Sequence, residues 1–188
     1  MGENEWVGQL RLNIDARVKP LSADGWTAKA CVRAKLAYAH EIVRYDKDDV
    51  PTPQSTKYET DILLYDEREN GDWVPRVIVE CKLGISTHDV LTYSSKANTH
   101  KHVHPYLRYG LLIGGYAKGL PARAIRHGAY FDFMMFWVSA EWTPTELDEL
   151  IAVLTDEISA SRLLSGLLTK GSPKAAKPRS LHRRLVVK

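Results

Sequence analysis

The chain has 188 residues, of which 44% are hydrophobic and 26% charged, enough for one domain with a full core. The opening MGENEW lacks both a basic-then-apolar leader and a myristoylation pattern, and no apolar run reaches membrane length, so the expected setting is the cytoplasm, away from membranes. Cys31 and Cys81 fit no disulfide or metal-binding spacing and read as reduced core residues.

Residues 8 to 18 (GQLRLNIDARV) alternate Leu10, Leu12, Ile14, Ala16 and Val18 with mostly polar partners, the period of a half-buried strand. Residues 27 to 43 (TAKACVRAKLAYAHEIV) have a helical spacing. Ala28, Val32, Leu36, Ala39 and Val43 form one stripe, and Ala30, Ala34 and Ala37 form a second that continues to Glu41. A polar, proline-containing connection follows, then a hairpin over residues 58 to 84. Ser86 and Thr87 can cap a helix from His88 to Lys101. Residues 109 to 116 and 129 to 139 read as buried strands flanking a basic loop, KGLPARAIRHG. Thr143, Pro144 and Glu146 supply the start of a final amphipathic helix carrying Leu147, Leu150, Ile151, Leu154 and Ile158.

This order predicts an α/β fold, a mixed central β-sheet flanked by helices on both faces, as a single domain over residues 1 to 168. Residues 169 to 188 form a tail whose Lys170, Lys174, Lys177, Arg179, Arg183, Arg184 and Lys188 are accompanied by no acids; without these seven the formal charge of +3 becomes −4. Such a tail suits phosphate contact or simple solubility and is expected to be flexible.

The chemistry concentrates in the hairpin YETDILLYDERENGDWVPRVIVECKLG. Asn70-Gly71 is the preferred centre of a two-residue type I′ turn. Counting outward from it sets Leu63 opposite Ile78 and Asp61 opposite Glu80. Like charges facing across a ladder are destabilising. Lys82 emerges on the same face as Glu80, roughly 7 Å along the strand, whereas Cys81 points the other way with Ile62, Leu64, Val77 and Val79. Two facing carboxylates are explained by a divalent cation with oxygen ligands, Mg²⁺ or Mn²⁺. A neighbouring lysine can orient a water or stabilise developing negative charge. The competing reading is an ordinary salt-bridged hairpin in which Lys82 neutralises one acid; in that register Glu59 also faces Lys82.

An Asp at the end of one strand and Glu-x-Lys on the next resembles the signature of the PD-(D/E)XK, or restriction-endonuclease-like, nucleases, here Asp61 and Glu80-Cys81-Lys82. The resemblance implies that Asp61, Glu80 and the main-chain carbonyl of Cys81 hold Mg²⁺, that Lys82 acts on the attacking water, and that an acid on the preceding helix completes the site, a place Glu41 occupies. Thr60 replaces the proline of the motif. No Gln-x-x-x-Tyr follows Lys82, which argues against the RecB-like branch of exonucleases. The implied activity is a Mg²⁺-dependent endodeoxyribonuclease, a type II-like restriction or defence enzyme acting on double-stranded DNA as a homodimer. The alternatives are a repair, recombination or mobile-element nuclease and a non-catalytic nucleic-acid-binding module.

Further candidates for DNA contact are Tyr93, Lys96 and His100 on one face of the helix after the motif, and Lys118, Arg123 and Arg126 in the basic loop. His100, His102 and His104 are spaced poorly for a single metal on a helix.

Overall fold

The computed structural model describes residues 2–22, 24–119 and 121–170, so the basic tail beyond residue 170 lies outside the described residues. A helix, α1 (Glu3–Val18), opens the chain, where the sequence suggested a strand over 8 to 18. Its buried residues are Trp6, Val7, Leu10, Ile14 and Val18, a spacing of three and four, whereas Leu12 is exposed. The alternation that suggested a strand came from a window that left out Trp6 and Val7.

The stretch expected to be a helix over 27 to 43 is instead two strands, β1 (Thr27–Val32) and β2 (Lys35–Tyr45). They are separated at Arg33, whose φ of 55° lies in the left-handed region. The expected polar connection contributes β3 (Pro51–Glu59), which pairs with β2 as an antiparallel ribbon. Then come β4 (Ile62–Glu67), β5 (Trp73–Leu83), α2 (Thr87–Val103), β6 (Arg108–Gly114), α3 (Ala122–His127), β7 (Phe133–Phe136) and α4 (Pro144–Lys170). The basic loop thus contains a short helix, α3. Both expected helix starts form: Ser86 and Asp89 make a capping box for α2, and Thr143 and Glu146 exchange the same pair of bonds at α4.

The main sheet has the order β1-β4-β5-β6-β7. β4 runs antiparallel to both of its neighbours, β1 and β5, and β5, β6 and β7 run parallel. One face packs Ile62, Leu64, Val77, Val79 and Cys81 against Trp6, Leu10 and Ile14 of α1 and Leu150, Leu154 and Ile158 of α4. The other packs Leu63, Ile78 and Tyr109 against Ala97 of α2 and Leu36 of β2. The result is the expected mixed sheet between helices. The β2–β3 ribbon lies beside α2, with Tyr38 stacked on Tyr58 at 3.7 Å and His100 Nε2 3.3 Å from the Leu36 carbonyl oxygen. No helix among the described residues is long and apolar enough to cross a membrane.

In the half of the hairpin nearer Asp61 and Glu80, Ile62, Leu63 and Leu64 face Val79, Ile78 and Val77 as counted from the sequence. The tip differs. Gly71, with φ 85°, closes a longer loop in which the Arg68 N–H donates to the Asp72 carbonyl, and Glu67 pairs with Trp73, one residue out of the expected register. A bulge beside Pro75 restores it. Proline has no N–H for the ladder, and the extra residue, Arg76, is turned into a buried ion pair with Asp66 at 2.7 Å.

Candidate functional site

Asp61, Glu80 and Lys82 converge where β4 begins and β5 nears its end. Thr60 donates through its N–H and its hydroxyl to the Ala34 carbonyl, and the Arg33 N–H donates to the Asp61 carbonyl at 3.3 Å. The backbone at Asp61 is thereby pinned to the β1–β2 junction. Asp61 Oδ2 then accepts the Cys81 N–H at 2.8 Å. In a strand the N–H and C=O of one residue point to the same side, so the Cys81 carbonyl also faces the space beyond the start of β4. The Cys81 carbonyl and the Asp61 carboxylate thus lie on the same side of β5, and the Asp61 charge is close enough to act on Glu80.

Glu80 is fully buried. Its Oε1 accepts the Tyr109 hydroxyl at 2.5 Å and lies 2.8 Å from Lys96 Nζ, while Oε2 has no hydrogen-bond partner. Burial pushes its pKa up to about 7; the Lys96 ammonium opposes this shift and the Asp61 charge reinforces it. A buried carboxylate oxygen with no donor is costly, so this half of the carboxyl group is the natural place for a cation or a proton.

Lys82 Nζ pairs with Glu3 Oε1 at 2.7 Å, and Glu3 Oε2 accepts the Leu83 N–H. Partial burial, the largest single influence, pulls the Lys82 pKa down, but Glu3 and Tyr93 together outweigh it and the net shift is upward. The side chain is therefore an ammonium throughout the physiological range, suited to stabilising negative charge and not to removing a proton. The Tyr93 ring lies 5.9 Å from the same Nζ, and burial followed by the Asp61 charge raises its phenol to about 12.

The chain matches no protein-family model and no curated protein.

The Asp61 charge acts on Glu80 and Lys82 lies two residues further along β5, but several expected companions change. Glu41 is on the outer, exposed part of β2 opposite Gln54, because its segment is a strand and not a helix. The acid that reaches the site from a helix is Glu3. Glu59 does not pair with Lys82; its carbonyl accepts from Lys96 at 3.0 Å. His100 is fully buried between the ribbon and Tyr109, with burial lowering its pKa to about 4, so it is a neutral core residue and not a DNA contact. Lys96 is the partner of Glu80.

Lys118 and Arg126 are exposed, and Arg123 donates to the Tyr116 hydroxyl at 3.3 Å. Because β5 and β6 run parallel, the segment after β6 emerges at the same end of the sheet as Lys82, although none of these three is bonded to the acid pair among the described residues.

Glu3 and Tyr109 escaped the sequence reading. Tyr109 was visible only as the start of an apolar strand, since nothing local ties it to a residue on β5. Glu3 was legible in principle: with Trp6, Leu10 and Ile14 on one stripe, Glu3 falls one turn before Trp6 on the same helix.

Proposed function

We propose that this protein is a divalent-cation-dependent phosphodiester hydrolase acting on DNA, a nuclease of the restriction-endonuclease-like type with a role in restriction or another defence process. The observation that carries the reading is the pair of carboxylates, Asp61 and a fully buried Glu80, joined at the end of β5 by the Lys82 ammonium. The order of helix, three antiparallel strands, helix and parallel strand supports it, with the β2–β3 ribbon as an insertion between β1 and β4.

The residues present fit Mg²⁺ or Mn²⁺. No group of three or more His, Cys, Asp or Glu side chains is placed to hold a metal among the described residues. Mg²⁺, however, is commonly held by one or two carboxylates and keeps several waters. Asp61, the Oε2 atom of Glu80 that lacks a donor and the Cys81 carbonyl make up such a donor set. A bound cation supplies Lewis acidity to a phosphoryl oxygen and a more acidic water.

The chain's own groups do the rest. Lys82, kept cationic by Glu3, faces the reacting phosphate and stabilises the charge that builds on its oxygens. Tyr109 and Lys96 hold Glu80 in one orientation.

Incubation of plasmid and linear DNA with Mg²⁺, with EDTA as control, tests this directly. Cleavage should leave 5′-phosphate ends and disappear in Asp61→Ala and Lys82→Ala proteins whose melting profiles remain cooperative. Undiminished cleavage by both variants would refute the assignment. One observation favours a non-catalytic DNA-binding module instead: Lys96 already neutralises Glu80 at 2.8 Å. DNA binding without cleavage in any divalent cation would select that reading.

A further inference from the structure

Between β3 and α2 runs a groove of about 410 Å³ lined by Tyr58, His88, Leu91, Thr92, Ser95 and Lys96. We infer that this groove binds a single nucleic-acid strand and feeds it to the acid pair, so that the substrate presents an unpaired segment at the point of cutting. What happens to the strand there rests on the nuclease reading above; the binding does not.

The α2 wall is one helical stripe, His88, Leu91, Thr92 and Ser95, at successive offsets of three, one and three. Leu91 is 48% exposed, although it sits on a helix whose opposite side is buried. The stripe offers two hydroxyls and an imidazole to phosphate oxygens and one apolar side chain to a base. The facing wall is Tyr58, 36% exposed, whose ring is held by the stack on Tyr38. A ring already fixed in place loses little freedom when a base stacks on it. No acid lines the groove. An aromatic platform on which a base can stack is the sequence-tolerant part of single-strand binding, and here Tyr58 supplies it while the α2 hydroxyls and imidazole face the backbone of the strand.

An intact duplex keeps its bases stacked on one another, so only an unpaired base can lie on the exposed Tyr58 ring. Direction follows from Lys96, which lines the groove and places Nζ 2.8 Å from Glu80 Oε1. A strand lying along α2 therefore comes nearest to Glu80 at the Lys96 end, with Lys96 between them.

The test uses the full chain in EDTA, so that binding is read without cleavage, with a fluorescein-labelled oligothymidylate and a blunt duplex of equal length. The wild-type protein should bind the single strand more tightly. A Leu91→Glu/Ser95→Glu double variant, altered only at exposed positions, should weaken that binding about tenfold or more, as should Tyr58→Ala, with Tyr58→Phe restoring it. Equal affinity of wild type and double variant for the single strand, or a wild-type preference for the duplex, overturns the inference. The two proposals fail separately. Wild-type-like binding and Mg²⁺-dependent cleavage by the double variant would remove the groove and leave the nuclease. Loss of binding in the double variant, with no preparation cutting DNA, would leave the groove and remove the nuclease.

Discussion

Glu80 is the most constrained residue of the site, since every other group there is arranged around a carboxyl that burial would prefer to neutralise. Glu80→Gln keeps the shape and removes that charge, so its melting temperature should equal or exceed that of the wild type while Mg²⁺-dependent cleavage falls by roughly 10²-fold or more. Parallel thermal melts and plasmid assays check both halves of the expectation. Tyr109→Phe deletes the 2.5 Å bond to Glu80 within a buried cluster, and urea denaturation should show a loss of about 1–3 kcal/mol. At this scale the sequence was most legible in the hairpin, because a turn signal and strand alternation together specify which side chains meet. It did not tie Tyr109 or Lys96, the latter read as a DNA contact, to Glu80, because those contacts depend on how β6 and α2 close around β5. Glu41 was misplaced because its strand was read as a helix, and Glu3 was neglected because the helix that carries it was read as a strand beginning only at residue 8.

Elements were misread where local patterns were ambiguous. Residues 27 to 43 are rich in alanine, which favours helices, yet a chain beside β4 with one face on α1 gains more from pairing than from propensity. Where capping chemistry marked a boundary, at Ser86 and Thr143, the helices began as expected.

The junction of α2 with the ribbon is sensitive to acid. His100 sits among Lys96, His104, Tyr38, Tyr58 and Tyr109, and burial lowers its pKa from 6.5 to about 4. Below about pH 6.5 the unfolded chain takes up a proton on His100 that the folded chain refuses, so the His100 contribution to stability falls by roughly 3 kcal/mol as pH drops toward 4. Glu80, with its pKa raised to about 7, contributes in the opposite direction over much of the same window. Urea titrations should therefore show the wild type losing stability relative to His100→Phe as pH falls from 6.5 to 4. The junction of β6 with β7 depends on Gly110, where an added Cβ would lie 2.0 Å from Phe133 Cζ. Gly110→Ala should cost about 1–3 kcal/mol in the same measurement.

Across the whole molecule, one carboxylate ties the layers together. Asp66 on β4 receives Arg76 at 2.7 Å and Arg162 of α4 through Nε and Nη2 at 2.9 and 2.6 Å, and Arg162 also donates to the Leu21 carbonyl. Burial would raise the Asp66 pKa, but the two guanidinium groups hold it below the usual carboxylate range. Asp66→Ala would strand the buried Arg76 charge and should destabilise the fold by about 3–5 kcal/mol, read as a lower urea midpoint. The layered α/β arrangement was legible from the alternation of apolar runs and caps, whereas the ribbon was not, because β3 is exposed along its length and carries two prolines.

The bulge at Arg76 has a consequence for how this hairpin can vary. Since the extra residue lies between the tip and the acid pair, the two halves of the ladder keep separate counts. A residue gained or lost in the loop over 68 to 72 has a place to be absorbed before it reaches Val77. The far end of the hairpin is free to change length, as a fishing line can be paid out behind a brake, while Asp61 and Glu80 stay face to face.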